Sequence, residues 1–348
     1  MSSIEIDGRP IGPGHPPYVI AELSANHNGD LGQAMRIIDA AQQAGADAVK
    51  IQTYRPDTIT LNSDLPDFRI TDGLWAGRTL HALYDWAHTP WEWHEALFAH
   101  AAKRGITLFS SPFDPTAVDL LESLDAPAYK IASFEAVDLP LIRTVASTGK
   151  PMIISTGMAD LAEIAEAVEA ARAAGCKQLA LLHCVSGYPA PASDYNLATL
   201  ADMGARFGVP VGLSDHTLDN TTAIASVALG AAVIEKHLTL DRTGGGPDDS
   251  FSLEPADFAE LCHGARTAWE AVGQVDYGRK SSEAANVKFR RSLYFVRDMK
   301  AGQVITEDCV RSVRPGYGMA PKYLDEVIGR RVVRDVAAAT PVVKDAVA

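Results

Sequence analysis

The chain has 348 residues, 47% of them hydrophobic and 22% charged, with a formal net charge of -13. That composition suits one large core plus a smaller module and excludes a disordered chain or a fibre. No apolar run approaches the roughly 18–20 residues needed to span a bilayer, and the amino end "MSSIEIDGRPIGPGHPPYV" has no basic-then-apolar leader; with an acidic balance that disfavours nucleic acid, a cytoplasmic protein with neither membrane nor nucleic-acid partner is expected.

In chain order, short Val/Ile/Leu-rich runs alternate with longer segments of helical period. A strand over 18–23 ends in Glu22 and is followed by Asn26 and His27; a helix over 31–44 closes on Gly45, where a left-handed cap suits glycine. The strand 48–53 carries Lys50 and Gln52 two apart, hence on one face. The insertion 54–90 then breaks the cadence, and its length points either to a lid or specificity wall or to a packed surface elaboration.

The rhythm resumes with a helix over 91–104 before Gly105, and a strand over 106–111 ending in Ser110 and Ser111. Strands at 129–133, with Lys130 and Ser133, and at 152–156, with Ser155 and Thr156, follow. Asp160 is a predicted N-cap for a helix over 160–174, before Gly175. The strand 179–185 gives His183, then Ser186, Gly187 and Tyr188; 209–214 leads into Ser214, Asp215 and His216. Asp219 is a predicted cap for the helix 219–229, the strand 233–237 ends in Glu235, Lys236 and His237, and a helix covers 255–271.

Eight such units in about 270 residues favour a closed (β/α)8 TIM barrel, assigned to 1–272, over an open doubly wound sheet. Residues 273–288 read as a linker. Residues 289–348, with eleven Lys or Arg against seven acids and a Gly-containing turn at 301–302, read as a small, mostly β domain. The cysteines, Cys176, Cys184, Cys262 and Cys309, are scattered and expected to be reduced.

A barrel gathers its chemistry at the carboxyl ends of its strands, where every strand here turns polar. Two lysines with several serines suit a phosphate and a carboxylate on one small acid, while the absence of "GxxxxGK[ST]" argues against nucleotide hydrolysis. His216 and His237 follow adjacent strands. Singly they read as a helix cap and a core histidine; as a pair they suit a shared divalent ion, Mn²⁺ or Mg²⁺ as well as Zn²⁺, completed by water or substrate. Asp215 and Glu235 are expected to orient the histidines or accept protons.

The motifs "IAELSANHNGD" (20–30), "GADAVKIQTY" (45–54), "FSSPFD" (109–114), "YKIAS" (129–133), "ISTGM" (154–158), "HCVSGYPAP" (183–191), "GLSDHT" (212–217), "VIEKHLTLD" (233–241) and "RPGYG" (314–318) occur in that order. Together they resemble the sialic acid synthase family, in which phosphoenolpyruvate condenses with an N-acetylated amino sugar, and the tail resembles its antifreeze-like SAF domain. "LNSDLPDFRI" and "GLWAGRTLHALYDWAHTPWEWH" are similar to its pseudaminic acid synthase branch, which uses 2,4-diacetamido-2,4,6-trideoxy-β-L-altropyranose.

The resemblance implies that Lys50, Ser111, Lys130, Ser133, Ser155, Ser186 and Ser214 hold phosphoenolpyruvate, that His216 and His237 bind the metal (Mn²⁺ or Mg²⁺) and that Glu22 is an essential acid. It also implies sugar contacts from Asp248 and Tyr188, and an Arg314 that reaches into the barrel of a partner in a domain-swapped homodimer. Val185 and Gly187 depart from the branch, each standing where threonine is frequent. The alternatives are an N-acetylneuraminate or legionaminate synthase, a lysine Schiff-base aldolase acting through Lys130 or Lys50, and a sugar-binding protein without turnover.

Overall fold

In the computed structural model, which describes residues 3–348, the chain opens with an antiparallel hairpin absent from the predicted elements. Its strands β1 (Ile4–Ile6) and β2 (Arg9–Ile11) are joined by Asp7 and Gly8, both at positive φ. Asp-Gly is the turn chemistry that a two-residue hairpin demands.

The eight predicted strands form as β3 (Tyr18–Glu22), β4 (Ala48–Thr53), β5 (Thr107–Pro112), β6 (Tyr129–Ile131), β7 (Met152–Ser155), β8 (Leu179–Cys184), β9 (Val211–Asp215) and β10 (Val233–His237). All pair in parallel and close into a barrel in the order β10-β3-β4-β5-β6-β7-β8-β9. Ser133 lies beyond its strand, at the start of a 3-10 turn over Ser133–Glu135.

The two-residue period of a strand builds the interior in levels. Ile20, Ala48, Phe109, Ala128, Ile153, Leu182 and Val233 form one apolar cluster, which also takes in Ile4, Ile6 and Ile11 of the hairpin. Two residues further along each strand the same face carries Glu22, Lys50, Ser111, Lys130, Ser155, Cys184 and Glu235, all buried, and Ser214 follows Gly212 on β9 in the same way. Across a single step the interior thus passes from hydrocarbon to charge.

Helices wrap the outside, and their ends follow local chemistry. Asp160 accepts from Ala162 N and Glu163 N while the Glu163 carboxylate accepts from Asp160 N, a complete capping box for the helix Leu161–Ala173. Gly45, at φ 88°, closes the helix Leu31–Ala44 and donates to Ala41 O and Gln42 O. At the helix Thr221–Ala228 the expected cap shifts by one residue: Asn220 occupies the cap position, and Asp219 supplies only a carboxylate that accepts from Thr221 N at 2.7 Å.

The chain divides between Gly273 and Gln274 into two compact units. Within the second, a 3-10 helix covers Ser281–Phe289, in the stretch read as a linker. Strands β11 (Ser292–Phe295) and β12 (Val310–Val313) pair antiparallel, with Leu293, Phe295, Ile305, Val327 and Val342 in a core of their own. Ser292 Oγ donates to Pro315 O and accepts from Gly318 N, which pins the "RPGYG" loop carrying Arg314.

Gly212 marks a close approach between barrel strands. A Cβ there would lie 2.3 Å from Val233 O and 2.7 Å from Leu182 Cδ2, so backbone would have to move. Gly212→Ala is expected to destabilise the barrel by about 1–3 kcal/mol through overpacking, read as a lowered urea midpoint with an unchanged m-value.

Candidate active site at the barrel mouth

Glu235 is the hub of the charged level. Its Oε1 lies 2.9 Å from both Lys50 Nζ and Lys130 Nζ, its Oε2 lies 3.0 Å from Lys130 Nζ, and Ser214 Oγ donates to Oε1 at 3.3 Å. Lys50 is also 3.1 Å from Glu22 Oε2. Burial favours the neutral form of Glu235, but Lys130 and Lys50 outweigh it and hold the carboxyl below its usual range. Burial opposes the charge of Lys50 as well, yet Glu22 and Glu235 together raise its pKa.

Lys130 carries the deficit of two ammoniums sharing one carboxylate: burial, with repulsion from Lys50, brings it down to about 8 despite Glu235. Burial pushes the Glu22 carboxyl up, an effect that Lys50 only partly offsets. Gln52 Nε2 donates to Glu22 Oε1 at 2.8 Å and to Ser24 Oγ at 3.1 Å, and the Ser24 hydroxyl donates to Asp248. The hydroxyls of Ser111 and Ser155 are buried on this level without a hydrogen-bond partner.

The imidazoles of His216 and His237 lie with ring centroids 5.4 Å apart. His216 Nδ1 sits 2.8 Å from Val185 O and donates to it, which turns the lone pair of Nε2 outward. His237 Nδ1 is buried with no partner, and burial, with His216 beside it, holds this ring neutral, the form that ligates metals. Among the described residues no group of three or more His, Cys, Asp or Glu is arranged to hold an ion. The pair fits a cation whose remaining ligands come from water or substrate.

The expectation that Asp215 and Glu235 orient these histidines is not met. Glu235 is taken up by the lysines, and Asp215 points to the other face of the sheet, where its Oδ2 lies 2.5 Å from Lys236 Nζ. Lys236 also donates to Thr217 O at 2.7 Å and Asp219 O at 2.8 Å, tying down the loop that presents His216. Tyr195, which the sequence reading passed over, accepts from His216 N at 2.6 Å through its hydroxyl oxygen. The departure at Val185 is harmless to this geometry, because the backbone carbonyl makes the contact.

A cavity of about 470 Å³ opens above the charged level, reached by Gln52, Ser133, Tyr188, His237 and Asp248. Tyr188 packs against His216 at 4.4 Å between centroids, and Ser133 Oγ accepts from Gly157 N at 3.2 Å. The insertion walls the cavity with Ile59, Ile70, Trp75, Leu80, Leu83 and Tyr84, so 54–90 is more than a surface elaboration. Glu135 was missed; it lines the cavity, its Oε2 has no partner, and burial pushes its carboxyl up to about 7. A carboxylate two residues past Ser133, where a strand has just ended, was its only signal.

Ser186 stands slightly apart, with Oγ 4.0 Å from Cys184 Sγ, in a neighbouring cavity of about 660 Å³ whose lining includes His183 but no lysine. Arg314 belongs to the second unit. All four cysteines are free, and no helix among the described residues is long and apolar enough to cross a membrane.

Replacing Glu235 by Gln would leave two buried ammoniums with one carboxylate fewer. Glu235→Gln is expected to destabilise the barrel by about 3–5 kcal/mol, measured by urea unfolding, with partial recovery in millimolar inorganic phosphate; an unchanged midpoint would show that the hub is not a structural requirement.

Residues 37–277 match the NeuB family and residues 290–348 the SAF domain. The chain is 43% identical over 319 residues to the pseudaminic acid synthase of Campylobacter jejuni (subsp. jejuni serotype O:23/36, strain 81-176), across 92% of this chain and 93% of that one. It is 41% identical over 332 residues to the pseudaminic acid synthase of Helicobacter pylori, across 95% and 97%. Among solved structures it is similar to the N-acetylneuraminic acid synthetase of Leptospira borgpetersenii in complex with citrate, with a TM-score of 0.73 at 30% identity over 82% of this chain and 95% of that one. These matches set aside the reading as a binding protein without turnover. The chain belongs to the NeuB family and is an enzyme that uses phosphoenolpyruvate to form a carbon–carbon bond.

Proposed function

We propose that this enzyme acts as a pseudaminic acid synthase, condensing phosphoenolpyruvate with 2,4-diacetamido-2,4,6-trideoxy-β-L-altropyranose. The observation that carries the phosphoenolpyruvate half is the charged level itself: two buried ammoniums share Glu235 beside the unpartnered hydroxyls of Ser111 and Ser155. An anion entering there meets unscreened positive charge and free donors. The acceptor half is supported by the likeness to the two pseudaminic acid synthases.

Lys50 and Lys130 hold the phosphate and carboxylate of phosphoenolpyruvate, with Ser111, Ser133, Ser155 and Ser214 as directional donors, while Ser186 lines the neighbouring cavity. The acceptor, in its open-chain form, occupies the cavity against Tyr188 and Asp248, so the two reacting carbons are brought together before any bond changes. Carbon 3 of phosphoenolpyruvate bonds to the aldehyde carbon, water adds at carbon 2, and the bond from that carbon to the phosphate oxygen breaks to release phosphate. Glu22, with its carboxyl pushed up by burial, exchanges the proton of the adding water. His216 and His237 would hold a divalent ion, Mn²⁺ or Mg²⁺, and such an ion would supply Lewis-acid polarisation of the aldehyde oxygen. Arg314 would reach from the tail domain of one subunit into the barrel of its partner in a domain-swapped homodimer.

Phosphoenolpyruvate offered with the diacetamido-trideoxy sugar is expected to release phosphate and give the mass of the condensed product, with EDTA stopping the reaction and Mn²⁺ restoring it. Turnover with N-acetylmannosamine alone would instead assign the neuraminate branch. The pH dependence of binding follows from Lys130, which loses its charge as pH rises through about 8. The Kd for phosphoenolpyruvate, measured by calorimetry, is therefore expected to be level below that pH and to rise by up to about tenfold per pH unit above it; a Kd that stays level throughout would remove Lys130 from the anion site.

A further inference from the structure

The cavity above the charged level is divided by origin. Its barrel-derived wall carries the polar groups, Gln52, Ser133, Glu135, His237 and Asp248, interspersed with Phe113, Phe134 and Pro247. Its insertion-derived wall is apolar, built from Ile59, Ile70, Trp75, Leu80, Leu83 and Tyr84, with Asp72 the one charged group the insertion adds. That wall is anchored: Trp75 Nε1 donates to Pro247 O at 2.9 Å, and the Trp75 ring lies 5.9 Å from Tyr188, which itself packs on His216. On the other side Tyr84 meets Tyr54 edge-on at 5.7 Å, and Leu83 is only 7% exposed on the helix Leu80–Ala87. An apolar face of this size is unsuited to a sugar that carries a hydroxyl on every carbon, because each hydroxyl turned toward it would lose its water without gaining a partner.

From this division we infer that the insertion is the specificity element of the enzyme: its apolar wall receives the methyl-bearing terminal end of the acceptor and discriminates against a terminal hydroxymethyl group. The inference rests on the proposed reaction, because chemistry at the His237 and Glu22 end fixes the polarity of the open chain. The aldehyde carbon lies toward the imidazoles, beside which Trp75 and Tyr188 also stand, and the other end of the chain is left to the part of the wall built from Ile70, Leu80 and Leu83. A deoxy terminus satisfies that wall. A hydroxymethyl terminus places a donor and acceptor against Leu80, Leu83 and Ile70, a mismatch of the kind that an apolar pocket rejects by about 100-fold.

The test is calorimetric binding of two open-chain alditols of the 2,4-diacetamido sugar, one with a methyl and one with a hydroxymethyl terminus, to the full-length enzyme, so that the answer does not depend on turnover. The 6-deoxy alditol is expected to bind on the order of 100-fold more tightly. Leu83→Ser, and the less buried Leu80→Ser should the first not fold, are expected to bring that ratio below about tenfold by weakening the deoxy ligand, with the Kd for phosphoenolpyruvate unchanged. Equal affinity of the wild type for the two alditols, or an equal loss for both in the serine variants, would overturn the assignment. Failure of phosphate release with the deoxy sugar itself would count separately, against the proposed reaction, while the alditol ratio would still decide what the wall reads.

Discussion

One carboxylate serving two ammoniums is the constraint on which the barrel's interior turns. Glu235 is 4% exposed, Lys50 3% and Lys130 1%, so none of the three can be compensated by water and each must find its counter-charge inside. Taking ions out of water is offset only where geometry is good and the remaining lone pairs are occupied. Here the distances are near 3 Å and Ser214 supplies a further donor to the carboxylate. Glu22 gives Lys50 a second partner, which leaves Lys130 the less fully paired. The arrangement is stable as a set, and because burial favours the neutral form of Glu22 it keeps a local excess of positive charge directed at the mouth.

The sequence "VIEKH" serves two faces at once. Alternation along β10 turns Glu235 and His237 into the barrel and Lys236 out of it. The outward lysine grips Asp215 and the carbonyls of Thr217 and Asp219, which bracket His216. The spacing of the two imidazoles is therefore set partly by an ion pair on the opposite side of the sheet. Val185 and Tyr195, from the segment that follows β8, fix the same histidine from its other sides. Lys236 of β10 and two groups from the segment after β8 thus hold the backbone on either side of His216, its own N–H and one ring nitrogen, so its position is over-determined.

Much of this was legible in the chain because it rests on local pattern. Parallel strands buried on both faces read as continuous Val/Ile/Leu runs, and a switch from apolar to polar at the end of such a run can be seen without coordinates. Glu22, Lys50, Lys130, His216 and His237 all announce themselves in this way. Partner choice was not legible. Nothing in the order of residues says that Glu235 meets lysines from β4 and β6 rather than the neighbouring histidines, because that depends on how far across the barrel each side chain reaches. The roles of Trp75 and Tyr84 were hidden for a different reason: the insertion lacks a single period, so which of its residues fold back over the mouth is set by tertiary contacts such as the bond from Trp75 to Pro247. The opening hairpin, by contrast, carried its signal in Asp7-Gly8 and was simply short.

The apolar level beneath the charges explains why they can act at a distance. Ile20, Phe109, Ile153, Leu182 and Val233 fill the barrel below Lys50 and Lys130, and Ile4, Ile6 and Ile11 of the hairpin join the same cluster. The cluster is hydrocarbon apart from the buried hydroxyl of Tyr18, so the field of the ammoniums is screened by solvent chiefly from the mouth. In a medium of low effective dielectric, unit charges a few ångströms apart interact several-fold more strongly than in water. A barrel closed on hydrocarbon therefore does more than support the strand ends. It directs the charge of the lysines toward the mouth, where the insertion's side chains stand.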